Sequence, residues 1–428
     1  MNLTGIFNAG VPGIIMFIIY LASFILPVIM GIYLLVNFIR APFRKAASGI
    51  YELPMTRFVV VIPARNEEKV IGHTIDMIGN QDYPSEMIDV IIIADNCSDL
   101  TAIKAREAGA KVYERTDSLK CSKAHALKWF FESGSLDKTK HDAVCIVDAD
   151  TILHPDFLRE IDREMAAGYP IVHGRVGSIN PHESFTASFM TVLLSFQNRF
   201  WHLPQANIRR SGFFAGTGVC ITLKCIEEVG WDIHTLVEDA EFGIQAVLKG
   251  GFVRYCDHAE FYVEQVNDPK SLWKQQRRWR TGHIACLRRY GFSLFKAVFV
   301  NGNKNAIAPL LLVMIPPFCI TALFQSILAP VIVLIAFGPW FIDPIMFAVG
   351  IAAQFVFNFI LQSFVLRMDQ RFSFKHWKGI CGMFLAPAFY GILDLVCIFK
   401  PIREWHPMNH GETDYLAAIE GNGRKNIK

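Results

Sequence analysis

AVCIVDADTILHPDF, residues 143–157, is the stretch on which the fold of this chain turns. Its opening run, Ala143 to Val147, is brief, rich in β-branched residues and free of helical periodicity, which predicts a buried strand. The run ends in Asp148-Ala149-Asp150. Side chains two apart on a strand point to the same side, so both carboxylates can meet one small ion. Asp is a poor strand former, so a pair at a strand's exit calls for another reason. Hard cations such as Mg²⁺ often bind through one or two carboxylates plus substrate phosphates. A solvated strand-to-loop turn is the alternative.

Outward from this stretch, residues 57–265 alternate strands and helices in the manner of an α/β domain. RFVVVIP is a strand, and ARNEEKVIGHTIDMIGNQ opens a helix with acids in its first turn. MIDVIIIADN is the next strand, followed by the helix SDLTAIKAREAG with Ser98 or Asp99 as N-cap and Gly109 at its stop. AKVYER, SKAHALKWFFES and AVCIVDAD add a strand, a helix and a strand. Such alternation implies a largely parallel sheet with ligands at the strand carboxyl ends. Arg65, Asn66 and Glu67, then Asp95, then Asp148 and Asp150 all fall at those ends. Acids at successive strand ends favour a metal-nucleotide site over a plain turn.

Composition fixes the setting. Hydrophobic residues make up 52% and charged residues 19% of the 428, with 35 Phe, which is apolar for a soluble enzyme and points to membrane segments. A net charge of +3 is too small to argue for nucleic acid. The ten Cys are scattered without a CxxC pair or a zinc-like spacing, and read as reduced packing residues. Residues 11–39 carry no charge, long enough for a span, and Arg40, Arg44 and Lys45 follow directly. The positive-inside rule then puts the N-terminus outside and residue 40 onward in the cytoplasm. This gives an N-terminal transmembrane segment within 1–45, a basic amphipathic region over 266–304, transmembrane segments over 305–400 and a tail over 401–428.

VVVIPARNEE, IIIADNCSD, CSKAHAL, IVDAD, VED at 237–239 and QQRRW at 275–279 occur in the order and spacing of the family 2 glycosyltransferases. The chain resembles their membrane-integrated branch, that of cellulose, hyaluronan and poly-N-acetylglucosamine synthases, over roughly residues 57–283. The resemblance implies a GT-A fold, a nucleotide-diphospho-sugar transferase domain in the cytosol, inserted between transmembrane helices. It implies a UDP-sugar donor and a Mg²⁺ or Mn²⁺ ion. On it, Asp95 contacts the uracil or ribose near Pro63, Asn66 and Glu67, and Lys123 lies near the nucleotide. Asp148 faces the nucleotide, and Asp150, with Asp148, faces the metal that bridges the phosphates. Where many relatives carry two Asp, this chain has Ala94-Asp95. Asp99 reads better as a helix cap than as a ligand.

The remaining motifs divide between fold and chemistry. SGFFAGTGVCITL, 211–223, is a glycine-containing turn feeding a strand, and the resemblance puts Thr217 beside the acceptor sugar. LVEDAEFGIQAVLKGG, 236–251, is a helix whose acids suit its N-terminal dipole. The resemblance makes Asp239 the base that takes the acceptor hydroxyl's proton, with Glu238 in reserve. SLWKQQRRWRTGHIACLRRYGF, 271–292, suits an amphipathic helix at a membrane surface, and Arg288 and Arg289 are assigned to lipid headgroups. Within QQRRW the resemblance pairs Arg278 with the diphosphate, stacks Trp279 on an acceptor sugar and lets Gln275 position the loop.

Three functions are in contention. The first is an inverting, processive enzyme of the cell membrane, multi-pass and with a cytoplasmic catalytic domain, that extends and exports a growing β-linked glycan. The second adds one sugar to a lipid acceptor. The third is a transporter or membrane scaffold with a nucleotide-binding domain, disfavoured by spans nearly bare of ionisable residues and by the lack of a GxxxxGK[ST] loop. Basic residues at 367–378 and at Lys400 and Arg403 both favour the cytoplasm, so either 379–399 re-enters or lies in the interface, or 305–342 crosses twice. The tail segment REWHPMNHG, with Trp405, His406 and His410, resembles the Trp-containing end of some relatives. Oligomeric state is not legible.

Overall fold

A computed structural model of the chain describes residues 24–40, 54–117, 119–214, 216–328, 344–369, 371 and 373–402. Residues 11–23 of the first apolar run, Arg44, Lys45, Pro330 and the tail from 403 onward, with Trp405, His406 and His410, lie outside the described residues.

The predicted strands form the centre of one eight-stranded sheet. They are β1 (Phe58–Ala64), β2 (Ile88–Asp95), β3 (Lys111–Arg115), β4 (Ala143–Ile146), β5 (Ile152–Leu153), β6 (Ile171–Ser178), β7 (Val219–Thr222) and β8 (Val253–Val263). The order is β3-β2-β1-β4-β7-β6-β8-β5. The half containing β3, β2, β1 and β4 is parallel throughout, as the strand-helix alternation predicts. Beyond β4 the sheet is mixed, because β7 runs antiparallel to both β4 and β6. Alternate residues of β1 feed two different cores: Val59 and Val61 on one face, Phe58, Val60 and Ile62 on the other. Two covered faces are what continuous apolar runs in the parallel strands require.

Two sequence expectations need local correction. The first helix starts at Ile71, not at the Arg65-Asn66-Glu67 segment, and has no acid in its first turn. Asn66 takes a left-handed φ of 60°, which Asn tolerates better than most residues, and Val70 and Ile71 both donate backbone N–H to the Glu67 carbonyl. The chain therefore turns sharply at the end of β1 before the helix can begin. Likewise β4 stops at Ile146, and Thr151 donates its N–H to the Asp148 carbonyl at 3.1 Å. Asp148 and Asp150 sit on a turn, so strand alternation does not aim them.

Among the described residues, Ala348–Met368 and Phe374–Phe399 are long and apolar enough to cross a membrane. A pair bent by 48°, Lys304–Val313 and Ile315–Ser326, would make a third if it counts as one span. The bend comes where Pro316 and Pro317 occupy the first turn of the second helix, the place where a missing N–H costs least. A shorter apolar helix covers Ile25–Asn37.

Buried ion pairs fasten these helices to the sheet. At the end of the Pro344–Met368 helix, Asp369 accepts from Arg199 Nε and Ser195 Oγ, each at 2.8 Å. Arg175 on β6 donates to the Asp369 carbonyl and to Glu260 on β8. The Trp377–Phe399 helix is held at both ends. Near its start, a Cβ on Gly379 would lie 2.6 Å from the Ser188 backbone, so only glycine allows this approach to the Phe185–Gln197 helix. Near its end, Arg280 Nε donates to Asp394 at 2.6 Å, and Arg277 donates to the Lys400 carbonyl at 2.6 Å. Arg280 is thus buried against an acid, not facing lipid headgroups.

Candidate active site

At the carboxyl ends of β1, β2 and β4 lies a cavity of about 1790 Å³. Pro63, Glu67, Asp95, Lys123, Asp148, Asp150, Thr217, Glu238, Asp239, Gln275, Arg278 and Trp279 all line it. Of the residues expected at the site, Asn66 alone is not among its walls; its Oδ1 instead accepts from Ser98 N–H at 2.8 Å and ties the β1 turn to the β2 turn.

Lys123 is the hub of the acid cluster. It opens the Lys123–Glu132 helix behind a Ser122 cap, which aims its side chain across the sheet's end. Its Nζ donates to Asp148 Oδ1 and to the Gly216 carbonyl, and lies 3.8 Å from Glu238 Oε1. Burial alone would lower the Lys123 pKa, but the Asp148, Glu238 and Asp239 charges outweigh it and hold the ammonium form. A Cβ on Gly216 would lie 3.6 Å from Lys123 Nζ and 3.7 Å from both Glu238 Oε1 and Asp239 Oδ2, so the cluster converges on that glycine.

Glu238 and Asp239 head the Glu238–Leu248 helix, as the sequence predicts. Burial first, and the Glu238 charge second, push the Asp239 carboxyl up to about 7, against Ala240 N–H, Lys123 and Arg278. A carboxyl poised there can exchange a proton near neutral pH. Gly282 on the Pro269–Phe299 helix would place a Cβ 2.6 Å from Val237 Cγ1. The QQRRW helix and the acid-bearing helix therefore meet at van der Waals distance, one residue before Glu238.

Several expected ligands are already engaged. Asp95 is 5% exposed; its Oδ1 accepts from Arg115 at 2.5 Å and from Asn96 Nδ2 at 2.9 Å. Burial raises its pKa and the Arg115 contact offsets only part of that. Thr217 Oγ1 accepts from Asp148 N–H and shares a hydrogen bond with Thr151 Oγ1, both at 2.9 Å. It braces the Asp148 turn in addition to lining the cavity.

Sequence reasoning missed the brace behind the acids. Glu241, fully buried, accepts from His234 and Thr235 N–H at 2.8 and 2.7 Å and from Tyr290 Oη at 2.7 Å. It locks the loop that leads into Glu238. Arg289 Nε donates to the Tyr290 hydroxyl at 3.2 Å and so also touches this brace, while its side chain stays half exposed. A third acid in one helical turn was a visible signal, but the helix dipole explained it equally well.

Comparison with known proteins places these observations. The profile of the glycosyltransferase-like family 2 matches residues 54–282. The probable glycosyltransferase YdaM of Bacillus subtilis is 26% identical over 267 residues, 59% of this chain and 60% of that protein. A beta-monoglucosyldiacylglycerol synthase of Synechocystis sp. is 25% identical over 239 residues, 54% of this chain and 48% of that protein. The chain thus spans between 48% and 60% of the length of these curated relatives. The mannosyltransferase PcManGT from Pyrobaculum calidifontis, solved with GDP-Man and Mn²⁺, superposes with a TM-score of 0.57 at 16% identity, covering 89% of this chain and 99% of that one. That likeness carries the fold alone. The narrower resemblance to cellulose, hyaluronan and poly-N-acetylglucosamine synthases goes further than these matches, none of which names a polymer synthase. With its motifs gathered around one cavity and the profile matched over more than half of its length, the chain belongs to the glycosyltransferase-like family 2.

Proposed function

We propose that the protein transfers a single sugar, with inversion, from a nucleoside-diphosphate sugar to a lipid acceptor at the membrane surface. The observation that carries this reading is the continuity of the cavity. One end is walled by Pro63, Asp95 and Lys123, and the other by Met30, Leu34, Phe318 and Leu361 of the apolar helices. A nucleotide-sugar from water and a lipid from the bilayer could thus meet at Asp148, Glu238 and Asp239. The name of the Synechocystis relative, a synthase of a glucosylated diacylglycerol, supports a lipid acceptor over the polymerising alternative. A UDP-sugar is the first donor to test.

In this mechanism the acceptor oxygen attacks the anomeric carbon as the bond from that carbon to the diphosphate breaks, and Asp239 takes the acceptor's proton. Lys123 and Arg278 offer positive charge to the departing diphosphate. The donor set suits Mg²⁺ or Mn²⁺ as a nucleotide-bound ion: Asp148 and Asp150 give two carboxylates, the number such ions commonly take beside substrate phosphates. Among the described residues no group of three or more His, Cys, Asp or Glu forms a site of its own. When bound there, the ion would supply Lewis-acid neutralisation of the leaving group.

The catalytic domain faces the cytoplasm in this proposal. Arg40, Arg367 and Lys400 lie at the ends of apolar helices, Lys378 in the first turn of the Trp377–Phe399 helix, and Arg371 and Lys375 in the link between the last two helices; we place all six on the domain's side. The proposal has the Trp377–Phe399 helix, which touches Ser188 near its start and Arg277 and Arg280 near its end, lie along the domain without crossing, so that both basic clusters stay on one side. The functional test is nucleotide release by purified protein with UDP- and GDP-sugars and Mn²⁺. Release that depends on added dioleoylglycerol supports the proposal; release that depends on a soluble glycan instead would overturn it.

A further inference from the structure

The membrane-side half of the cavity has a chemistry of its own. Its walls from the four apolar helices are Met30 and Leu34; Leu312, Ile315, Phe318 and Cys319; Asn358, Leu361 and Gln362; and Met383, Ala386, Pro387 and Tyr390. None of these is charged. The Arg280 guanidinium lies 5.1 Å from the centre of the Tyr390 ring and is held by Asp394. Lys123 and Arg278 belong to the opposite, acidic end.

Within this apolar setting three polar groups are buried without a hydrogen-bond partner: Asn358 Oδ1, Gln362 Oε1 and the Tyr390 hydroxyl. Gln362 is 3% and Tyr390 7% exposed. Asn358 and Gln362 are one helical turn apart on the Pro344–Met368 helix, so they present one face. A buried polar group without a partner is costly, and polar residues inside a span usually face a substrate path. Hydrogen bonds to hydroxyl groups would satisfy all three. A phosphate would suit them less: among the described residues the cation beside Tyr390 is Arg280, and Asp394 already holds it.

We propose that Asn358, Gln362 and Tyr390 form a subsite for the uncharged, hydroxyl-bearing headgroup of the acceptor, with the apolar walls receiving its alkyl chains. This rests on the lipid-acceptor reading above and narrows it to neutral polyol lipids. Sugar hydroxyls of a nascent glycan share the same chemistry, so the test separates the two sources.

The experiment uses full-length protein in detergent micelles, with UDP-sugar donors and three acceptors: monooleoylglycerol, whose two hydroxyls let one react at Asp239 while the other is held at the subsite, undecaprenyl phosphate and a soluble oligosaccharide. Two variants are compared with wild type, Gln362→Leu and Tyr390→Phe. The second removes only a hydroxyl that has no partner in the free protein, so the fold should survive it. Expected are transfer to monooleoylglycerol by wild type, and in both variants a rise of at least about tenfold in KM for monooleoylglycerol with donor KM within about twofold. Unchanged acceptor KM in both variants would overturn the subsite. Preference for undecaprenyl phosphate would overturn the neutral headgroup while leaving a lipid acceptor in place. Transfer only to the oligosaccharide would overturn the lipid reading itself.

Discussion

Glu238→Gln separates the two acids at the head of the Glu238–Leu248 helix. Burial and the Glu238 charge push Asp239 up to about 7, so removing that charge should bring it part of the way back. The relevant oxygens of the two acids each lie 3.7 Å from the Cβ position of Gly216, which keeps them within about 7 Å of each other. At that separation and an effective dielectric of about 20, their repulsion is roughly 2.4 kcal/mol, equivalent to about 1.7 pH units. Lys123 and Arg278 screen the pair, so a change of about 1–2 pH units is expected. The sign follows from the role of a base, which works only when ionised. In wild type kcat/KM should rise with pH through about 7. In Glu238→Gln the same rise should come at about pH 5–6. Nucleotide release, measured as kcat/KM across pH, reads this directly because kcat/KM reports groups of the free enzyme. A rise that stays near 7 in an active variant would mean that Asp239 is not the titrating base. Loss of turnover with intact nucleotide affinity would transfer the role of base to Glu238.

Asp394→Asn leaves the buried Arg280 guanidinium without its counter-charge, and should cost about 3–5 kcal/mol. A lowered Tm in detergent checks this, and the double variant Arg280→Met/Asp394→Leu should recover most of the loss. Arg278→Lys keeps the charge but loses the planar fork, and should slow turnover at least about tenfold, on the order of 1.4 kcal/mol in the barrier. Arg288→Lys, on an exposed part of the same helix, should leave activity near wild type; equal losses in both would point to a general membrane role. Ser373→Cys and Pro401→Cys flank the Trp377–Phe399 helix. An impermeant maleimide should label both from the same membrane face, whereas labelling from opposite faces would make that helix a true crossing.

The parallel half of the sheet was legible because its strands are short apolar runs ended by polar residues, and burial on both faces leaves little choice of structure. The acids at 148 and 150 stood out because Asp is a poor strand former, whereas those at 238 and 239 stood out only through the family resemblance, since the helix dipole accounts for them equally well. Their aim was not legible. Asp148 is directed by Thr217, 69 residues away, and by Lys123, and no local pattern encodes either contact. Asn66, expected near the nucleotide, also makes a left-handed backbone turn and accepts from Ser98 N–H, a structural task that its place in the sequence did not show. The pairing of Arg280 with Asp394 spans 114 residues. Asp394 stood alone in an apolar run, which signals a partner without naming it, whereas Arg280 lay among Arg277, Arg278 and other polar residues. Glu241 was hidden for the opposite reason, since the helix dipole already accounted for an acid there.

The central claim is one sugar onto one lipid, and the intact mass of the product tests it most directly. Purified protein would be incubated with dioleoylglycerol, Mn²⁺ and a large excess of the UDP-sugar that it turns over, and the extracted lipid weighed by mass spectrometry over time. The account predicts a single new species, heavier by one sugar residue, that accumulates until the acceptor is consumed. A ladder of products lengthening with donor excess, or a high-mass glycan free of lipid, would contradict it.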